Sequence, residues 1–397
     1  MTLQLLQNPA ALARGPYELQ QVVSLAGSRA ARAEISSWPD YAVTPIHNLS
    51  LIAEACAIAG VLYKDEAQRF GLGSFKALGG AYAVCRLLQR LVGERVGRPV
   101  SSAELAGGTF RSITQALTVV TATDGNHGRS VAAGALWFGC QCVILIHSTV
   151  SEGRQRAIEA RGARVIRTEG NYDDSVREAS RLSQQDGWAL IADTSSHGGA
   201  LACIDVMHGY TVMAGECLDQ LAASRAALPS HVFIQGGVGG LAAAVCAYLW
   251  QSLSERAPIV VIVEPQRADC LFQSAKAGKP TAVTGDLNTI MAGLACGEVS
   301  ELAWQILEKG AEFFMTIPDS AAIEAMRLLA HQNRADAAIV AGESGGAGLA
   351  GFMAAAIDPE ARRLLRLNRG SRVLVIGTEG ATDPELYQAL LTAPTAS

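Results

Sequence analysis

The sequence predicts an α/β protein built from two open, twisted, mostly parallel sheets with helices on both faces, one body large and the other smaller and mobile. Three observations lead there. Apolar runs of strand length alternate with amphipathic stretches through the middle of the chain. Those runs are continuously apolar, as expected of strands covered on both faces of a parallel sheet. One of them passes through "GGVGG" (236–240) straight into an apolar helix-like stretch, the strand–turn–helix unit of such folds.

Taken in order, "LTVVTAT" (117–123) is a strand, "GRSVAAGALWFG" a helix and "CVILIH" a strand. The helix "EGRQRAIEARG", the strand "RVIRTE", the helix "YDDSVREASRLSQQDG" and the strand "WALIAD" complete a first series. A second series has "HVFIQ", a helix through "GLAAAVCAYLWQSLSE", and "IVVIVE". It closes with "AAIVAGE" (337–343) as a strand, a helix through "GLAGFMAAA", and the strand "RVLVIG". The polar, Gly-rich "VGERVGRPVSSAELAGGTFRS" (92–112) is expected to be an exposed connection. The expected division places 1–84 and 205–397 in the large domain and 85–204 in a small, substrate-side domain. A site between two such sheets belongs at their strand ends.

Composition narrows the function. The 397 residues are 49% hydrophobic and carry a net charge of −5, without a basic run or interleaved aromatic and basic residues. A nucleic-acid partner is therefore not expected. No apolar run is long enough to span a bilayer, and the N-terminal stretch lacks the pattern of a signal peptide. The nine cysteines form no CxxC pair. They are expected to be buried thiols in a reducing cytoplasm, with no metal site.

The "GGVGG" turn offers an anion the free N–H groups and positive dipole end of a helix N-terminus, so a phosphate is its natural guest. It would also serve as a plain tight turn. A nicotinamide dehydrogenase is a rival reading, because Gly237, Gly239 and Ala242 fit G-x-G-x-x-G/A and Glu264 ends the next strand. That reading leaves "FGLGSFKALGGAYAV" (70–84) and "TATDGNHG" (121–128) unexplained. In the first of these, Lys76 stands among glycines and apolar residues at a helix start. Burial would lower its pKa and leave a neutral amine, able to form an imine with an aldehyde and later to act as a base. Alone, the same lysine would be read as snorkelling over an apolar patch.

Together, "SFKALGGAYAV", "DGNHG" and "GGVGG" resemble the fold-type II pyridoxal-phosphate enzymes, which include threonine deaminases, serine racemases and cysteine synthases. The resemblance implies pyridoxal 5'-phosphate as cofactor, carried by Lys76. It implies that Asn126 contacts the ring hydroxyl, that Gly236, Gly237, Val238, Gly239 and Gly240 cradle the phosphate, and that the Thr378 hydroxyl faces the ring nitrogen. A neutral hydroxyl there gives a weak electron sink, suited to elimination at the β carbon; its bland alternative is a turn cap. Within this family "YKDEAQRFGLGSFKALGGAYAV", "TATDGNHGRSVA", "MHGY", "NTIMAGLACGE" and "GTEGATDPELY" resemble the diaminopropionate ammonia-lyases over most of the chain from about residue 20. That implies a small amino-acid substrate, α,β-elimination, a cytoplasmic homodimer and no C-terminal regulatory domain.

Asp124 stands where the wider family carries serine or threonine. The surrounding loop, Thr123 to Gly125, is expected to receive the substrate carboxylate. Two like charges ~4 Å apart repel by ~4 kcal/mol at an effective dielectric of ~20, and opposite charges gain as much. Asp124 therefore argues for a substrate with an extra ammonium, such as 2,3-diaminopropionate. By the resemblance it is also a second base, opposite Lys76, that lets either enantiomer react. An Asx turn is the alternative. Asp193 is expected either to touch the distal amine or to be a strand-end turn residue, and His127 to be a packing residue. After Asp193 the aromatic and acidic residues usual in the lyases are replaced by Ser195, Ser196, His197 and glycines. That change keeps open a dehydratase or racemase acting on serine, threonine or 3-hydroxyaspartate. Cys270 and Cys296 occupy two motif-like stretches and are treated as buried thiols.

Overall fold

A computed structural model of the chain describes residues 3–12, 14–195, 197–331 and 338–393. Their strands are β1 (Gln4–Gln7), β2 (Ile46–Asn48), β3 (Gly60–Asp65), β4 (Thr118–Thr123), β5 (Gln141–Ile146), β6 (Arg164–Arg167), β7 (Ala189–Leu190), β8 (His231–Gln235), β9 (Ile259–Pro265), β10 (Phe313–Ile317) and β11 (Arg372–Gly377). They form two sheets. The larger runs β1-β10-β9-β8-β11-β3-β2, parallel except for the antiparallel edge strands β1 and β2. The smaller runs β6-β5-β4-β7 and is parallel throughout. Central strands such as β8, buried at every residue, explain the continuous apolar runs in the sequence.

The helix Lys76–Val96 is the pivot. It packs on Asn126–Phe138, which follows β4 of the small sheet, and on Ala200–Ala223, which covers the large sheet. Its approach is fixed by a buried charge network. Lys64 Nζ lies 2.7 Å from Glu216 Oε2, Arg69 Nη2 lies 2.8 Å from the same oxygen, and Arg69 Nε lies 2.8 Å from Glu66 Oε2. These groups join β3 and the segment leading to Lys76 onto the helix Ala200–Ala223. With each charge paired, the desolvation cost of burying them is offset.

The structure departs from the sequence reading in three places. The series above omits β1, β2, β3 and β10. The edge strands β1 and β2 are short and half-exposed, and β10 follows the helix Glu301–Gly310 after only two residues. The stretch 338–343 is not a strand: Ile339 N donates to Leu329 O and Gly342 N to Glu379 O, so its backbone bonds leave the ladder. The supposed connection 92–112 is largely helical, with the end of Lys76–Val96 followed by the short helices Ser102–Ala106 and Arg111–Thr114. Among the described residues no helix is long and apolar enough to cross a membrane, and no cluster of His, Cys, Asp and Glu is arranged to hold a metal.

Candidate active site

The parallel strands of both sheets end at one pocket. It is lined by Lys76, Asp124, Asn126, Asp193, Gly236, Gly237, Val238, Gly240 and Thr378, brought from the ends of β4, β7, β8 and β11 and from the start of the helix after β3. Lys76 is set in place through the main chain, since Phe75 N donates to Thr378 O at 2.9 Å and Gly380 N to Gly73 O at 3.0 Å.

Lys76 is not the neutral amine expected from burial alone. Burial pushes its pKa down, but the carboxylate of Asp193, with Tyr210 and Asp124 nearby, pushes it further up, and the net shift is upward. Its ammonium is ion-paired to Asp193 Oδ2. Asp193 is buried, which by itself favours the acid form; the Lys76 ammonium against it outweighs that and holds its pKa well below the ordinary range. Tyr172 donates its hydroxyl to the other oxygen, Oδ1, at 2.9 Å. His127 Nδ1 is 4.0 Å from Asp193 Oδ2. Its Nε2 lies 2.9 Å from the carbonyl of Ile191, which requires the proton on Nε2 and leaves Nδ1 bare. Burial lowers the imidazole pKa, which favours the neutral ring.

The loop after β4 is shaped by its own residues. Gly125 has φ +146°, a conformation that L side chains rarely adopt, and it caps the helix Asn126–Phe138. Thr123 Oγ1 accepts the N–H groups of Gly125 and Gly128, each at 2.9 Å. Neither Thr123 nor Gly125 lines the pocket; the hydrogen bonds to Thr123 Oγ1 hold Asp124 and Asn126 at its wall. Asn126 donates its amide to Glu379 Oε2, and Glu379 Oε1 accepts from Ser344 N at 3.2 Å. Across the gap between the sheets, Arg154 Nη2 is 2.5 Å from Glu343 Oε1. Burial first, then the neighbouring Glu379, push Glu343 up to about 7 despite that arginine.

The turn after β8 runs directly into the helix Gly240–Leu253. Gly239, at φ +100°, makes the turn and does not itself line the pocket. Beneath the turn lies Glu264. Burial pushes its carboxyl up to about 8, and its two oxygens accept from Leu271 N and Phe272 N at 2.9 and 2.7 Å. Fully buried and engaged with backbone, it has no face for a ribose, and the dehydrogenase reading fails on that residue.

Several lining residues carried little or no signal in the sequence reading: Tyr172, Tyr210, Gln235, Ser344 and Glu379. Tyr210 and Glu379 lay inside the "MHGY" and "GTEGATDPELY" motifs; Tyr172, Gln235 and Ser344 look like ordinary helix, strand and loop residues. Among the described residues of the altered stretch after Asp193, none lines the pocket. Ser195 Oγ accepts from Leu302 N at 3.0 Å and His197 Nε2 lies 2.7 Å from Glu298 Oε2, while Ser196 lies outside the described residues. Cys270 and Cys296 are free, buried thiols, and Cys296 lines the pocket.

This arrangement is matched by known proteins. A family model described as pyridoxal-phosphate dependent enzyme matches residues 38–379. The chain belongs to that family, and its cofactor is pyridoxal 5'-phosphate. Within the family it is 37% identical over 363 residues to a diaminopropionate ammonia-lyase of Salmonella typhimurium, covering 89% of each protein. It is 37% identical over 377 residues to that of Escherichia coli K12, covering 94% of this chain and 93% of the other. The crystal structure of the holo Escherichia coli diaminopropionate ammonia lyase superposes with a TM-score of 0.89 at 35% identity, covering 99% of both chains. The same enzyme in complex with an aminoacrylate-PLP azomethine reaction intermediate gives a TM-score of 0.87 at 35% identity, covering 98% of this chain and 97% of the other.

The pocket fits the cofactor. Three buried polar atoms of lining residues, His127 Nδ1, Tyr210 Oη and Gln235 Oε1, have no hydrogen-bond partner among the described residues, and orphaned groups of this kind are costly unless a guest satisfies them. The glycine turn at a helix N-terminus suits a phosphate, and Lys76 at the pocket wall offers an amine that an aldehyde could take.

Proposed function

We propose that this enzyme catalyses the α,β-elimination of 2,3-diaminopropionate, with water, to pyruvate and two molecules of ammonia. The observation that carries the reading is the charge of the pocket: Asp124, Asp193 and Glu379 line it against the single cation Lys76. An ordinary amino acid would add its own carboxylate to that excess. A substrate with a second ammonium complements it. The diaminopropionate ammonia-lyases of Salmonella typhimurium and Escherichia coli, to which the chain is 37% identical, support the same substrate.

In this reading Lys76 would hold the cofactor, with Asn126 placed for its ring hydroxyl, residues 236–240 for its phosphate and Thr378 for its ring nitrogen. Bound pyridoxal 5'-phosphate supplies an aldehyde for the amine and a ring that withdraws electrons from the substrate α carbon. Released Lys76 takes the α proton on its side. The elevated basicity conferred by Asp193 lets it keep that proton. Asp124 serves as base for the opposite enantiomer. Asp193, oriented by Tyr172, and Asp124 are the acceptors available to the distal ammonium before it departs as ammonia. The enamine product hydrolyses in water to pyruvate and the second ammonia. We take residues 85–204 as the small domain and the rest as the large one, a division supported by the strand content of the two sheets, and we expect a cytoplasmic homodimer.

The test is product stoichiometry with both enantiomers of diaminopropionate, serine and threonine. The reading predicts two ammonia per pyruvate and a clear preference for the diamino acid. Pyruvate from serine with no turnover of diaminopropionate, or racemisation without keto acid, would overturn it.

A further inference from the structure

We propose that Gln235 is a positioning residue that fixes the Thr378 hydroxyl as a hydrogen-bond donor into the pocket, and so selects an unprotonated ring nitrogen opposite it. The inference rests on the placement of Thr378 at the ring nitrogen in the proposed function.

Gln235 is the last residue of β8, and Thr378 follows the last residue of the adjacent parallel strand β11. The glutamine is 2% exposed. Its Nε2 lies 2.9 Å from the carbonyl oxygens of Gly345 and Ile376, 3.1 Å from that of Ser344 and 3.2 Å from Thr378 Oγ1. Side-chain amide orientation is often ambiguous. Here it is settled, because three backbone carbonyls converge on one end of the amide and an oxygen there would face only acceptors. Two N–H groups shared among four acceptors satisfy them.

An amide nitrogen has no lone pair to accept with. Thr378 Oγ1 is therefore the acceptor in its contact with Gln235, and its one hydrogen is free to point elsewhere. Thr378 lines the pocket, so the hydrogen is available to a group seated there. A ring nitrogen facing a donor must offer its lone pair. A carboxylate at position 235 would reverse the chain: the hydroxyl would donate to it and present a lone pair to the ring, which then favours the protonated nitrogen. The side-chain amide at 235, two side chains from the substrate, thus acts on how strongly the cofactor withdraws electrons.

The experiment uses holoenzyme reconstituted with cofactor labelled with ¹⁵N in the ring, read by NMR across the neutral pH range, in wild type, Q235E, Q235N, T378S and T378V. In wild type and T378S the resonance is expected at the position of an unprotonated, hydrogen-bonded pyridine. Q235E should move it toward pyridinium, and T378V toward a free pyridine. A wild-type resonance insensitive to both T378V and Q235E overturns the placement of Thr378 itself. A resonance that responds to T378V but stays unchanged in Q235E overturns the role of Gln235 while leaving that placement standing. Should Q235E fail to fold, binding of a carba analogue with CH in place of the ring nitrogen decides. With the hydroxyl held as donor, wild type should bind the analogue roughly tenfold more weakly than the cofactor, and Q235N should narrow the gap. Equal binding of the two by wild type contradicts the proposal.

Discussion

Lys76 and Asp193 form an ion pair at the wall of the pocket, the ammonium against Oδ2 of the buried carboxylate. The pair raises the basicity of the amine that the chemistry needs. It follows that Asp193→Asn should lower the Lys76 pKa, since the attraction favouring the ammonium is lost while burial remains. More amine is then neutral at a given pH. The pH at which the apoenzyme captures cofactor half-maximally, followed by absorbance, should fall by roughly 1–3 units. An unchanged or higher midpoint would contradict the pairing.

Glu379 accepts from the Asn126 amide and from Ser344 N. A carboxylate in that position orients the amide so that its second N–H can face the cofactor. Glu379→Gln replaces a charge-assisted bond with a neutral one and allows the Asn126 amide to turn over. The cofactor dissociation constant should rise about 10- to 100-fold, measured by fluorescence titration of apoenzyme. A dissociation constant equal to wild type would show that Glu379 does not support Asn126.

In the proposed reaction Asp124 distinguishes the diamino acid from its neutral relatives. Asp124→Thr, the residue type expected elsewhere in the family, should lower kcat/KM for diaminopropionate and spare or raise that for serine. A charge contact of ~4 kcal/mol is the upper bound, so the ratio of the two should change by up to about 1000-fold. One enantiomer of diaminopropionate should suffer more than the other in kcat. Equal losses for serine and both enantiomers would reduce Asp124 to a loop residue.

The buried network around Glu216 holds the segment that delivers Lys76. Glu216→Ala leaves Lys64 and Arg69 without their shared partner. Breaking a buried pair in this way costs about 3–5 kcal/mol, read as a lower denaturation midpoint at unchanged slope. A loss below about 1 kcal/mol would mean that the two cations find other partners.

Glu264 sets a pH dependence with a definite sign. Its carboxyl is raised from 4.5 to about 8 by burial, so the folded state keeps a proton that the unfolded chain releases. Its contribution to stability is full below pH 4.5 and is lost as pH rises to about 8. Glu264→Gln cannot ionise. The variant should start lower, since it gives up one of two backbone caps, and should lose less stability than wild type between mildly acidic and mildly alkaline pH. Parallel curves would contradict the shift.

Much of this was legible in the sequence because the chemistry is local there. Lys76, Asp124, Asn126 and the 236–240 turn each sit in a short motif whose composition is unusual for an ordinary helix or turn. What stayed hidden depends on contacts between distant segments. Gln235 closes an apolar strand, and only the arrival of 344–345 and 376–378 beside it gives its amide a task. The protonation state of Lys76 was misjudged for the same reason: burial was inferred from its apolar neighbours, while the partner that reverses the effect comes 117 residues later. The stretch 338–343 has the apolar content of a strand, yet its backbone partners are in a helix end and in the Thr378 loop.

The proposed chemistry turns on Lys76 as the covalent anchor of the cofactor. Holoenzyme treated with borohydride, digested and analysed by mass spectrometry should carry the reduced cofactor on Lys76 alone, and the Lys76→Ala protein should carry none. Label on another lysine, such as the buried Lys64, or a wild-type protein that takes up cofactor without any reducible link, would contradict it.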